Sequence, residues 1–368
     1  LFLGLLLYDK PFKTINEQIQ LLRDKHKLII NNDAFAQSAL LNTSYYDLIN
    51  GYKEYTMQDD IFKPGISIEY LYYLHLFDKN FQNAILKQSI IIENSFKTIL
   101  SYVLAENFGV DTEEYLNHKM FLGSLKAIKF FKVKEAFEKI FKKYSKNDGK
   151  YYERNLEDIP QPTRHYIENH NHVPPWIILR NVSFSNSINL YRLTKDHEKH
   201  QISNMLLPNP NIAMADKINF LIAALGLIRE TRNVIAHNLK FVTFSSKYNR
   251  LPKKSMNIIT KDSSFTKNRN ELNDSYACII AIMIILNDST MKQAFANDLL
   301  SCICLSPNNL EPNPLWQDYS LITNLPFELP FQLLKLANVD VLPRPLGLNF
   351  EEIKYKQINT DGNEDTSA

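Results

Sequence analysis

The sequence predicts an all-α protein: a helical bundle with helices added before and after it. Three observations carry that prediction. Apolar residues recur every three or four positions instead of alternating, as a helix buried on one face requires. Only nine glycines occur in 368 residues, below the usual share of about 7%. A composition 45% hydrophobic and 22% charged is that of a globular chain with a core, which excludes disorder as the main state.

The elements follow in order. "LFLGLLLY" at the start is apolar for only eight residues. A bilayer crossing needs about 20, and the basic start and cleavage site of a signal peptide are absent, so this stretch is expected to be an extension or core-packing segment. Thr14 with Glu17 has the form of a capping box, after which Ile15, Ile19 and Leu22 share one helical face. Asn32 or Asp33 can cap a second helix through Leu40, and an aromatic-rich connector ends near Gly51. From Ser67 to Phe108 the apolar repeat predicts one or two long helices, stopped by Gly109. Trp176 to Leu193 and Ala213 to Leu239 are expected to be helices, separated by the proline-bearing "LPNPN". Residues 247–274 read as a polar connector without periodicity. Buried helices are expected over Ser275 to Leu286 and Met291 to Ser301, "ACIIAIMIIL" being too short to span a membrane. The resulting division is an N-terminal helical segment over 1–65, a core over 66–305 with a basic insertion at 119–154, a C-terminal segment over 306–355 packing on the core, and a disordered tail over 356–368.

Charge and cysteine usage narrow the function classes. Net charge is +2, from 42 Lys and Arg against 40 Asp and Glu, too balanced for the whole chain to act as a polycation. The basic excess is local: residues 119–154 hold eleven Lys and Arg against four acids. Their interleaved aromatics fit either RNA binding, through Lys126, Lys129, Lys132, Lys142 and Lys143, or an amphipathic helix with solvated lysines. Cys278, Cys302 and Cys304 are odd in number and lack metal-ligand spacing, which points to a reducing cytoplasm rather than a disulfide framework. His165, His170, His172, His197 and His200 match no zinc-ligand pattern, so no metal or other cofactor is expected. Phosphate-cradling glycine loops and serine-hydrolase elbows are absent.

The stretch that asks for an explanation is "LIRETRNVIAHN", residues 227–238. It continues the stripe of Ile218, Leu221, Ile222 and Leu225, yet places Arg229, Arg232 and Ala236 where core residues are due. On a helix, Asn233 and His237 are four apart and share a face, with Arg232 one residue away. An imidazole can move protons at neutral pH and a guanidinium can hold phosphate oxygens, which suffices to cleave RNA through its own 2′-hydroxyl. The alternative is a structural ion pair to Glu230 or Glu93. The spacing does not choose, because Arg192 and His197 repeat it in a polar stretch.

"RNVIAHN" resembles the R-N-x-x-A-H signature of HEPN ribonuclease domains. Around it, "KPFKTINEQIQLLRDK", "SYYDLINGY", "LHLFDKNFQNAILKQSIIIENSFKTILSYVLAENFG" and "VPPWIILRNVSFSNSINLY" resemble, in order, segments of AbiD/AbiF-type abortive-infection proteins, from Lys10 to Phe241, with weaker agreement at "PFELPFQLL". The resemblance implies a HEPN-type bundle, Arg232 and His237 as a metal-independent nuclease pair, Asn233 as the accompanying polar residue, and a homodimer with two motifs facing. Lys97 stands where that family has Arg, Ser185 where it has Gly, and "NLKF" follows His237, so a second basic contact falls to Lys240; Arg229 is a further RNA-binding candidate. The expected function is a cytoplasmic anti-phage endoribonuclease acting on RNA, with no DNA or membrane partner. The alternative is a non-catalytic module on the same fold that holds RNA or a protein.

Overall fold

The computed structural model describes residues 10–117, 121, 127–141, 144–147, 150–153, 155–306 and 310–337. Among them, strand is confined to three two-stranded antiparallel ribbons, and the remainder of the regular structure is helical, as predicted.

The N-terminal part begins with α1 (Ile15–Asp24). Thr14 accepts from the Glu17 amide while Glu17 accepts from the Thr14 amide, so two donors that the first turn leaves over are satisfied reciprocally. Asn32 caps α2 (Asp33–Thr43) by accepting from Phe35 N–H at 3.0 Å. A π-helical turn (Tyr46–Asn50), α3 (Lys53–Thr56) and the ribbon β1 (Met57–Gln58) with β2 (Ile61–Phe62) follow. Gly51 makes that wide turn possible, because a Cβ there would collide with the carbonyl oxygen of Asp47. Ile19, Leu22, Ala36, Leu40, Leu48 and Phe62 bury one another and close on Ile68 and Leu71.

Those last two residues open α4 (Ile68–Phe108), a single uninterrupted helix of 41 residues, about 60 Å long. Ser67 caps it by accepting from Tyr70 N–H, and Gly109, at φ 87°, ends it in a conformation that costs a residue with a Cβ. The chain continues through α5 (Thr112–Tyr115), α6 (Ala127–Phe141) and the ribbon β3 (Tyr144–Asn147) with β4 (Lys150–Glu153). Among the described residues, the basic segment holds a helix and a two-stranded antiparallel ribbon. Next come α7 (Thr163–Asn169), α8 (Pro175–Asn181), α9 (Phe184–Leu193), α10 (Asp196–Leu206) and α11 (Met214–Ala236). The single helix expected over Trp176 to Leu193 is two, because Ser183 is extended and its hydroxyl caps α9 by accepting from Asn186 N–H at 3.2 Å. The connector after α11 carries α12 (Lys253–Thr260), whose eight residues bury only Ser255 and Met256, too short a run to show a period.

The core is completed by α13 (Ser275–Ile285), α14 (Ser289–Ile303), the ribbon β5 (Cys304–Ser306) with β6 (Glu311–Pro312), α15 (Pro314–Thr323) and α16 (Leu329–Leu336). All eleven residues of α13 are buried, which accounts for its uniformly apolar sequence. Among the described residues no helix is long and apolar enough to cross a membrane. The axis of the molecule is α4, against which α8, α9, α10, α11, α13, α14 and α15 all pack.

Two carboxylates, Asp78 buried and Asp318 half-buried, tie three parts of the chain together. Asp78 of α4 accepts from the hydroxyls of Tyr52 (3.1 Å) and Tyr319 of α15 (2.7 Å). Asp318 of α15 accepts from Tyr55 and from Tyr70 of α4, both at 2.8 Å. Burial raises the Asp78 carboxyl above the ordinary range, and burial with the Asp78 charge raises the Tyr52 and Tyr319 hydroxyls. Each such hydrogen bond contributes about 0.5–1.5 kcal/mol net, so the N-terminal part is fastened to both α4 and α15.

Candidate active site

The arginine-bearing stripe sits on α11 at the border between its buried and open faces. Phe220, Leu221, Ala224, Leu225, Leu227, Ile228, Thr231 and Ile235 are buried, while Arg229, Arg232 and Asn233 are half-buried on the flank and Ala236 is exposed. The arginines thus replace core residues only where the stripe turns out of the core, and there each finds a carboxylate.

Arg232 donates from Nη2 to Glu93 Oε2 at 3.1 Å and from Nη1 to Asn233 Oδ1 at 3.0 Å. Two of its five N–H donors are thereby used. Its side chain keeps 34% of its exposure, whereas that of Glu93 keeps 10%. Lys97, one turn beyond Glu93 on α4, pairs with the other carboxylate oxygen at 2.7 Å. One buried carboxylate therefore holds two cations, which offsets the cost of desolvating all three charges. The ion pair of Arg232 with Glu93, the structural alternative to a catalytic role in the sequence, is thus present, and Lys97, noted there only as a departure, joins it.

His237 is the C-cap of α11 rather than a residue inside it. Its amide donates to Asn233 O (3.0 Å), Asn238 N–H donates to Ile235 O (3.0 Å), and Leu239 N–H reaches back to Val234 O (2.9 Å). This double closure satisfies carbonyls that a helix end leaves over and needs a left-handed residue just after the cap. Asn238 supplies it at φ 52°. The helix therefore stops at Ala236, short of the expected Leu239, and the His237 side chain is exposed. Among the described residues its imidazole makes no hydrogen bond, while Asn233 joins the two halves of the motif through its side chain to Arg232 and its carbonyl to His237.

The other predicted contacts are placed unevenly. Arg229 turns toward Ser185 Oγ (2.9 Å) and Glu230 Oε1 (3.1 Å), and its Nε is buried without a partner. Glu230 also accepts from Ser246 and Asn249, so this second ion pair straps the post-helix loop onto α11. Ser185, where the resembled family has Gly, thus gains a partner on α11. Lys240 pairs with Glu54 of α3 at 2.9 Å. On α6, Lys132 is exposed while Val133 and Phe137 are buried beside it. Lys126, Lys142, Lys143 and the side chain of Lys129 lie outside the described residues, as do 1–9, residues 338–355 of the expected C-terminal segment and the expected tail at 356–368. His165 and His170 meet edge to face beside Tyr166 at the surface, and among the described residues no group of His, Cys, Asp or Glu could hold a metal ion. Burial pushes the Cys278 thiol up to about 12 and that of Cys304 up to about 11, so neither is a thiolate nucleophile near neutrality.

The arrangement offers a guanidinium held by Glu93 with donors to spare, and an exposed imidazole on the cap of the same helix. A family model for Abi-like proteins matches residues 38–243, from within α2 to just past the α11 cap, so that Glu93, Lys97, Arg232 and His237 all fall inside it. No curated protein and no solved structure matches the chain. With more than half of its residues in the match, the chain belongs to the Abi-like protein family.

Proposed function

We propose that this protein is an abortive-infection endoribonuclease of the HEPN type, cleaving RNA without a metal ion. In this reading the 2′-oxygen attacks the adjacent phosphorus, the P–O5′ bond breaks, and a 2′,3′-cyclic phosphate forms. One proton leaves the 2′-hydroxyl and one reaches the 5′-oxygen; His237 carries out one of these transfers and His237 of a second copy the other. Arg232 takes the non-bridging oxygens with the donors that Glu93 and Asn233 leave free, and Glu93 holds the guanidinium so that little reorganisation is needed when charge develops on phosphorus. RNA bound elsewhere would run over Lys132 and its basic neighbours and over Lys240, displacing Glu54.

The observation that carries this reading is that a braced, half-buried Arg232 and an exposed His237 sit on the last turn and the cap of one helix. Incubation of the purified protein with end-labelled RNA in EDTA tests it. Fragments with 2′,3′-cyclic phosphate ends, absent with a folded His237→Ala variant, are the expected result. Equal cleavage by that variant overturns the assignment, and RNA binding with no cleavage by the wild type makes the protein a binding module.

A further inference from the structure

The turn that carries His237 is held by residues far away in sequence. Lys79 of α4 donates from Nζ to Asn238 Oδ1 at 2.6 Å, and Asn238 Nδ2 donates to Asp47 Oδ2 at 3.2 Å. Both polar atoms of that side chain are therefore used, one by the core helix and one by the π-helical turn of the N-terminal part. Two residues on, Lys240 pairs with Glu54. Glycine is the usual choice for a left-handed residue after a helix, since it adopts positive φ without strain. Asn238 fills the position at φ 52° and in addition gives the turn two handles that glycine lacks.

The anchors are themselves held by further bonds. Lys79 follows Asp78, whose carboxylate is clasped by Tyr52 and Tyr319, and it also donates to Gln82 Oε1 at 3.4 Å. Asp47 accepts from Ser44 Oγ at 3.0 Å and its amide donates back to that oxygen at 3.2 Å. Gly51 permits the turn on which Asp47 sits. By contrast the His237 ring has no hydrogen-bond partner among the described residues, so only the backbone of its turn restrains its direction.

We infer that Lys79 and Asp47 are positioning residues for His237, which act by holding Asn238 and so fix the backbone from which the imidazole projects. Neither is placed to touch a substrate through the contacts described. The inference rests on the proposed role of His237 for its catalytic consequence, but the restraint itself exists whether or not the protein cleaves RNA. It also assigns a task to the N-terminal part of the chain, which becomes one jaw of a clamp on the α11 cap.

Two variants test this without disturbing the core: Lys79→Met, which keeps the stem and removes the donor, and Asn238→Gly, which keeps the left-handed backbone and removes both handles. The full-length protein, labelled with ¹³C and ¹⁵N histidine, is followed by the His237 ring signals and by hydrogen exchange of the 237–240 amides. In both variants the amides are expected to exchange about tenfold faster or more, with His237 ring signals shifted and averaged, while α13 amides remain protected. Where the wild type cleaves RNA, kcat falls about tenfold with KM nearly unchanged, and Asp47→Asn, which keeps an acceptor oxygen, retains most activity while Asp47→Ala does not. Unchanged exchange and unchanged His237 signals in both variants overturn the inference. Altered exchange in a protein whose wild type cleaves no RNA upholds the clamp and removes only the nuclease reading.

Discussion

The chain contains the same arginine-to-histidine spacing twice, and the fold treats the two copies differently. Arg192 and His197 fall on either side of a helix break: Arg192 lies in the last turn of α9, Thr194 is extended, and His197 lies in the first turn of α10. Their side chains thus project from separate helices. Arg232 and His237 belong to one helix and its cap, with Asn233 bonded to both. Arg192 is exposed, burial of part of its chain and the nearby Arg229 charge lower its guanidinium, and its carbonyl accepts from Lys199. Arg232 has a buried carboxylate dedicated to it and to Lys97. A spacing becomes a candidate site only where the backbone is continuous and a desolvated partner fixes the cation.

That contrast can be broken or sharpened by substitution. The largest effect is expected at Arg232: Arg232→Ala should lower RNA cleavage by about 10²–10³, with Arg232→Lys recovering little because an ammonium cannot hold Glu93, Asn233 and a phosphate in one plane. Arg192→Ala should leave cleavage within about twofold. Rate measurements on the four proteins decide this, and equal losses at 192 and 232 would erase the distinction. A smaller effect is expected at Glu93. Glu93→Gln leaves Arg232 and Lys97 as neighbouring cations with a neutral partner, and denaturant unfolding should show a loss of about 1–3 kcal/mol together with reduced kcat. The same experiment at Glu54, which faces Lys240 at the open surface, should show little change in stability.

The smallest effect concerns the clasp that underlies the 237 turn and has no counterpart at 197. Asp78 has its carboxyl raised by burial. A raised carboxyl contributes stability that is fully present below its unfolded value and is lost as pH rises through the folded one. Melting temperature should therefore decline upward from about pH 4 in the wild type, and Asp78→Asn should flatten that decline while weakening one of the two tyrosine bonds. An identical pH slope in both proteins would show that Asp78 titrates as if exposed.

Much of the bundle was legible because its signals are local. The capping box at Thr14 and Glu17, the helix start near Ser67, the stop at Gly109 and the continuous burial of "ACIIAIMIIL" all state their structure within a few residues. The break at Ser183 was hidden because apolar residues on both sides of it keep a helical spacing. The end of α11 was misplaced by three residues because Asn238 carries the left-handed turn that glycine would have announced. Arg232, Asn233 and His237 stood out from the apolar stripe they interrupt, but the anchors Asp47, Glu54 and Lys79 come from more than 150 residues away in the chain and leave no local trace. The same holds for the Tyr52–Asp78–Tyr319 clasp, where two motif-like segments and α15 meet only in the folded molecule.

In the proposed mechanism geometry, rather than spacing, makes the proton-transfer group. Cleavage of end-labelled RNA in EDTA by wild type, His237→Ala and His197→Ala, compared at equal concentration with folding verified by circular dichroism, addresses this directly. The expected result is loss of about two orders of magnitude or more at His237 and wild-type rates at His197, with cyclic-phosphate ends in both active proteins. Equal rates for all three, or loss confined to His197, would contradict it.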